Sequence, residues 1–349
     1  MKKLVVGLVI AFFIILFAGG VYYWQFTKSP KYSLLQAKKA FEQHDLVSFE
    51  KYVDVEGIAN SLIDQMLEIA TEQEKPKDEW EQLGESIVKG LVTLLKPQLS
   101  KLAKQQITKL VETGKLEEEH QKTKSEEPNF SLSDIWNKAG GKKAGFQGIK
   151  YQGIEYIKKE GKVAYVGLKF FYKEYNTELI LDLKMRDKGG YWQVAELSNF
   201  ADYMKKLDEL ETKRINKLNA PIIEKMKKTL VIEKIDKKNE TDDWGIYKRV
   251  VFSVKVRNNS KKEIDKYKIL LICNSLDGKE LKRLTIVDDH NIAPGDIGGG
   301  AWSIDVNMFM TGDNLLFDTP QSKLKINAEI QYIKFTDGSV IELHKKWEF

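Results

Sequence analysis

Cysteine is the scarcest reactive residue in this 349-residue chain, present only as Cys273. A single cysteine excludes an internal disulfide and a structural zinc site built from thiolates. It follows Ile269-Leu270-Leu271-Ile272, so it reads as a small buried hydrophobe rather than a reactive thiol. Histidine is nearly as rare: the four histidines are dispersed from His44 to His344. No paired-histidine metal motif, Ser–His–Asp pattern or Walker loop emerges. Lysine dominates over arginine, which provides poorly for forked recognition of phosphates and base edges, so no nucleic-acid partner is expected. The net charge of +5 is a small remainder of 56 basic and 51 acidic residues. From these absences no catalytic residue, cofactor or metal ligand is assigned.

Long hydrophobic runs are also missing, with one exception. Leu4 to Trp24 contains no charged residue, follows Lys2 and Lys3, and closes on Tyr22-Tyr23-Trp24. About 20 apolar residues at 1.5 Å each cross a hydrocarbon core of about 30 Å. The aromatic end suits a membrane interface, and the length favours a retained signal-anchor over cleavage at Ala18-Gly19-Gly20. The run therefore predicts a single-pass cell-membrane protein, with a cytoplasmic N-terminus and an extracytoplasmic body. The expected domains are the anchor at 1–28, an α+β domain at 29–219 and a β-sandwich at 220–349.

In the α+β domain, Leu34, Leu35, Ala37, Ala40 and Phe41 recur at helical spacing until His44-Asp45 breaks the pattern. His44 reads as a helix-terminal residue. A short helix follows from Leu46, and Asp54 caps another through Ile58, Leu62, Ile63 and Leu67. From Leu83 to Val111 an apolar stripe faces a row of lysines, among them Lys96 and Lys104, and Pro97 is expected to kink or divide it. That row reads as the solvated side of a core helix, and secondarily as a membrane-surface patch.

From Phe146 the period changes to two, predicting strands at 148–158, 163–172, 178–186 and 191–197 in an antiparallel meander. Glu155, Glu174, Glu178 and Asp182 are the available carboxylates, without a partner histidine. A charged helix over 200–219 closes at Ala220-Pro221. Seven further strands with turn signals between them then predict the β-sandwich. Val250, Phe252, Val254 and Val256 alternate with Val251, Ser253, Lys255 and Arg257, as in a half-buried strand. Asp288-Asp289-His290 is the only acidic–histidine cluster worth testing, and reads as a loop rather than a metal site. Gly295 to Gly300 is glycine-rich, but no helix follows to complete a phosphate cradle.

Two stretches resemble known families. SPKYSLLQAKKAFEQHDLVSFEKYVDVEGIANSLIDQM resembles the start of a bacterial domain-of-unknown-function family of signal-anchored proteins. The strand YWQVAELSNF is similar to the last strand of nuclear-transport-factor-2-like and cystatin-like sheets. VRNNSKKEIDKYK, LICNSLDGKELKRLTI, IAPGD, VNMFM and IKFTDGSVI resemble a fibronectin-III- or immunoglobulin-like envelope module. Neither resemblance brings catalytic residues. The implied role is a non-catalytic binding or scaffold protein of the cell envelope, with a protein or cell-envelope partner and the membrane contacted through Leu4–Trp24. The alternative is a sensor or carrier holding an apolar ligand in the α+β domain, and a third reading is a hydrolase with an unrecognised site.

Overall fold

The computed structural model describes residues 26–72, 79–114, 148–244, 247–307 and 309–345. Its architecture is mixed α+β. Among the described residues there are six α-helices and three antiparallel sheets. The chain divides into two compact units between Glu211 and Thr212. The expected boundary at 219–220 lies further along the same helix.

The single-pass expectation is corrected here. Among the described residues no helix is long and apolar enough to cross a membrane. The two longest, Glu79–Thr113 and Phe200–Thr229, carry Lys and Glu along their lengths, and each charge is costly in hydrocarbon. Leu4–Trp24 lies outside the described residues. The cell-membrane location and extracytoplasmic body that rested on it find no support.

The first unit begins with helix α1 (Pro30–Glu42), capped by Ser29, whose Oγ accepts the Tyr32 N–H at 3.1 Å, with proline at the first helical position. The chain leaves α1 through His44 in a left-handed conformation, φ 57°. Asp45 then caps α2 (Leu46–Tyr52) by accepting the Ser48 N–H. Asp54 caps α3 (Val55–Glu72) through the Gly57 N–H at 2.8 Å. Helix α4 (Glu79–Thr113) runs through Pro97 as one element. Its Leu99 and Ala103 pack on Ala59 and Ile63 of α3. Lys96 and Lys104 reach across to Asp64 and Glu56, so part of the lysine row is spent on a neighbouring helix.

Strands β1 (Ile149–Glu160), β2 (Val163–Tyr172), β3 (Thr177–Asp187) and β4 (Trp192–Leu197) form a sheet in sequence order. Period-two alternation puts Ala164, Val166, Leu183, Met185 and Val194 on one face, against Ala37, Val53 and Val55 of the helical layer. The outer edge of β4 is closed by that layer. Val53 bridges Val194, the Asp54 N–H donates to Val194 O, and the buried Ser33 Oγ accepts the Trp192 N–H at 2.8 Å.

Helix α5 (Phe200–Thr229) carries the chain onward through Pro221, where the sequence predicts a stop. Proline removes one intrahelical bond. Pro221 is exposed, so the carbonyl it strands can turn to water. Beyond it come β5 (Leu230–Thr241), β6 (Lys248–Asn258), β7 (Ile264–Ser275), β8 (Glu280–Asp288), β9 (Ile297–Asp305), helix α6 (Thr311–Asp318), β10 (Leu324–Phe335) and β11 (Val340–Glu342). The sheets are ordered β5-β6-β9 and β11-β10-β7-β8, and their inner faces share one core. Phe252 and Val254 of β6 meet Tyr267, Ile269 and Leu271 of β7 and Ile333 of β10. The all-β sandwich expected from sequence is corrected here, because Met226 of α5 and Leu316 of α6 belong to the same core.

Candidate functional site

The catalytic and ligating candidates do not assemble into a reaction centre. The His44 Nδ1 lies 2.8 Å from Val111 O, and the ring fills the space beside Gly114, which pins the end of α4. Glu155 and Glu178 both pair with Lys169, at 2.5 and 3.5 Å, on an exposed sheet face. Asp182 accepts the Tyr156 hydroxyl at 2.5 Å. Burial, reinforced by this bond, pushes the Tyr156 phenol up to about 12. Glu174 lies in the β2–β3 turn beside Gly148. The partners of Glu155, Glu178 and Asp182 are thus a lysine and a tyrosine.

A concave region of about 490 Å³ lies along β1, lined by Lys150, Tyr151, Gln152, Glu155 and Lys169 among others. Its lining is charged and polar, unlike the aliphatic cavities that hold apolar ligands. The interior of the sheet is occupied by the side chains of its own core. This arrangement does not favour the carrier reading.

Asp288, Asp289 and His290 bring three ligand atoms within 4.8 Å of one another. Both oxygens of Asp288 are already engaged. Oδ2 accepts the Tyr267 hydroxyl at 2.7 Å, and Oδ1 lies 2.7 Å from His290 Nδ1 and accepts the His290 N–H. Asp288 is buried whereas the His290 ring is 89% exposed, so the group ties the end of β8 to β7 rather than framing a cleft. Burial pushes the Asp288 carboxyl up, but the bonds from Tyr267 and His290 outweigh it and hold it below 3.8. The bond to Asp288 and its charge lift His290 above 6.5. Burial and the same carboxylate raise the Tyr267 phenol.

The signs fix a pH window. A depressed Asp288 stabilises the fold above its unfolded value of 3.8, and that contribution is lost as pH falls through the folded value. A raised His290 stabilises it below 6.5, and the contribution is lost as pH rises through the folded value. Unfolding midpoints of the second unit are expected to peak between these limits, and Asp288→Asn should flatten the peak. Replacing His290 with Ala should remove the alkaline limb and weaken the acid one, because Tyr267 and the backbone N–H at 290 alone then oppose the burial of Asp288. An unchanged alkaline limb in that variant would contradict the assignment.

The glycine-rich stretch 295–300 is a turn into β9. Gly295 N–H donates to Asn258 O at 2.7 Å, and the buried Asn258 side chain donates to Lys262 O and Ile292 O. Cys273 is buried, and desolvation pushes its thiol up to about 11.

What the sequence did not single out is an apolar surface at one end of the β5-β6-β9 sheet. Trp244 and Tyr247, in the β5–β6 turn, are 84% and 78% exposed. Phe309 and Met310, between β9 and α6, are 92% and 54% exposed. The register brings these loops together. Arg249 faces Asp305, and the Val306 N–H donates to Lys248 O at 2.9 Å, so Tyr247 and Asn307 leave the sheet side by side. Both loops are tied by their own polar residues. Asp242 Oδ1 accepts the Tyr247 N–H, and Asn307 Oδ1 accepts the Phe309 N–H at 3.0 Å. The buried Asp313 carboxylate accepts from Lys282 at 2.7 Å and from the Asn307 N–H at 3.1 Å. Held backbones with outward aromatic side chains are the usual anatomy of a protein-recognition surface. The only sequence signal was the apolar content of VNMFM and the Trp–Tyr pair, and composition does not reveal exposure.

Comparison with known proteins adds little to this geometry. No protein-family model matches the chain, and no curated protein matches it. Neither family resemblance read from the sequence is therefore supported. The chain is similar to a solved structure of a hypothetical protein from Peptoclostridium difficile 630, at 14% identity and a TM-score of 0.22, over 33% of this chain and 86% of that one.

Proposed function

We propose that this is a non-catalytic binding protein whose second unit docks a folded protein partner through the aromatic end formed by Trp244, Tyr247, Phe309 and Met310. The observation that carries the reading is the exposure of these four large apolar side chains at one end of a sheet. Isolated exposed apolar residues are ordinary, but a cluster of this composition marks an interaction site. Trp and Tyr supply most of the energy at such surfaces, and Met adapts to irregular pockets. Asp242, Asp243, Asn307 and Arg249 lie in or beside the same two loops, and would set orientation more than affinity.

Photocrosslinking tests it directly. A photoreactive phenylalanine analogue at position 309 should capture one discrete protein, competed by the unlabelled chain. The variant Trp244→Ala/Tyr247→Ala should reduce that capture by about tenfold or more, the loss expected from two hot-spot aromatics. Adducts consisting of lipid or small molecules alone would sink the reading.

A further inference from the structure

We propose that β9 joins two copies of this chain, edge to edge and antiparallel. The three sheets have six terminal strands, and they are not equally defended. β4 is closed by the helical layer described above. β11 is three residues long. β8 has Asp313 of α6 on its Lys282, and the Trp302 indole donates to its Val287 O at 3.1 Å. β1 and β5 carry charges throughout, including Lys150, Glu155 and Lys158 in the first and Glu233, Lys234 and Asp236 in the second. Charged, short or covered edges are how sheets avoid pairing with other chains.

β9 is nine residues long and lacks the charges of β1 and β5, and its contact with β8 is made through the Trp302 side chain. From Ile297 to Ile304 it carries no charge and no proline. Gly299, Ala301 and Ser303 are exposed, and among the described residues no strand pairs with its outer side. Gly298 and Gly300 lie on the inner face, where Ile292 and the Trp302 ring take the space that a side chain would need. On the outward face, the side chains between Ile297 and Asp305 are all small.

The charge pattern selects a second copy as the occupant. Antiparallel pairing centred on Ala301 sets that residue against itself, Gly299 against Ser303 and Ile297 against Asp305. Small residues then face small ones. Behind Ile297 and Gly299 stand Arg257, already paired with Glu233 of β5 at 2.6 Å, and Lys255 of β6. Asp305 pairs with Arg249 but remains exposed. It would come within about 12 Å of Lys255 of the other copy, two strand spacings across and one pleat along, near the screening length. Parallel in-register pairing would instead set Asp305 beside Asp305.

Sedimentation of the full chain across a concentration series tests the contact. The wild type should form a concentration-dependent dimer. Ala301→Lys and Ala301→Glu should each weaken it by about fivefold or more, because position 301 faces itself. An equimolar mixture of the two variants should restore it. Ala301 is exposed and opposite Ser253, so unchanged thermal unfolding of both variants is the control for folding. A wild type that stays monomeric at every concentration overturns the proposal. So does a dimer that survives both substitutions, which would place the contact elsewhere. Protection of the β9 amides from exchange only when a different protein's segment is added would also overturn it, in favour of foreign strand addition.

Discussion

Phe252→Ala should lower the stability of the second unit by about 3–5 kcal/mol, the range for deleting a buried aromatic side chain. Phe252 is fully buried in the middle of β6, between Lys237 on β5 and Trp302 on β9, with Val250 and Val254 on the same inner face. Its ring touches the core from the three-stranded sheet, and the opposing sheet cannot collapse into the space without breaking register. A domain has about 5–15 kcal/mol in total, so this substitution removes a large share. Denaturant titration followed by circular dichroism should show an earlier midpoint with unchanged slope. Phe252→Leu, which keeps most of the volume, should cost less than about 1.5 kcal/mol. A loss below about 1 kcal/mol for the alanine variant would mean that the two sheets do not share this core.

Gly299→Ala should be nearly as damaging for a different reason. The residue has φ 126°, a region that residues with a Cβ rarely enter, and an added Cβ would fall on the Val254 carbonyl oxygen. That neighbour is backbone held in the β6–β9 ladder, so it cannot move aside as a side chain could. Backbone strain of about 1–3 kcal/mol and overpacking of similar size together predict a loss of about 2–5 kcal/mol. The expected signature is local. Amide exchange should accelerate along β9 and the facing residues of β6, more than in β7 or β10. Gly300→Ala is the control, since there the near atom is the Trp302 ring at 3.2 Å, which can shift. Equal tolerance of both alanines would mean that β9 is not held as described.

Much of the local structure was legible because local rules decide it. The alternation at Val250, Phe252, Val254 and Val256 marked the inner face of β6, and all four are buried. Asp54 announced a helix start because its carboxylate accepts a nearby N–H, and Asp45, read from the sequence only as a break, caps in the same way. Other features depend on partners remote in sequence. Nothing near His44 indicates Val111, 67 residues away, and nothing near Ser33 indicates Trp192, 159 residues away. Helix α6 was missed because eight residues give barely two turns of pattern, and its start at Met310 has no side-chain cap. Pro221 suggested a stop, yet Asn219 exchanges bonds with the His344 backbone and holds the helix through it. The Trp244–Phe309 surface was illegible for a simpler reason. An apolar residue in a sequence is read as core until the fold places it outside.

The burial of Cys273 has a practical consequence. A thiol that is solvent-shielded and held mostly protonated at neutral pH reacts slowly with alkylating reagents. The native chain is therefore close to spectroscopically silent toward thiol labels. A single cysteine placed at Phe309 or Ser303 could carry a spin or fluorescent probe without first removing the natural one. Distances between such probes would then report on the aromatic end and on β9 in the unmodified sequence background.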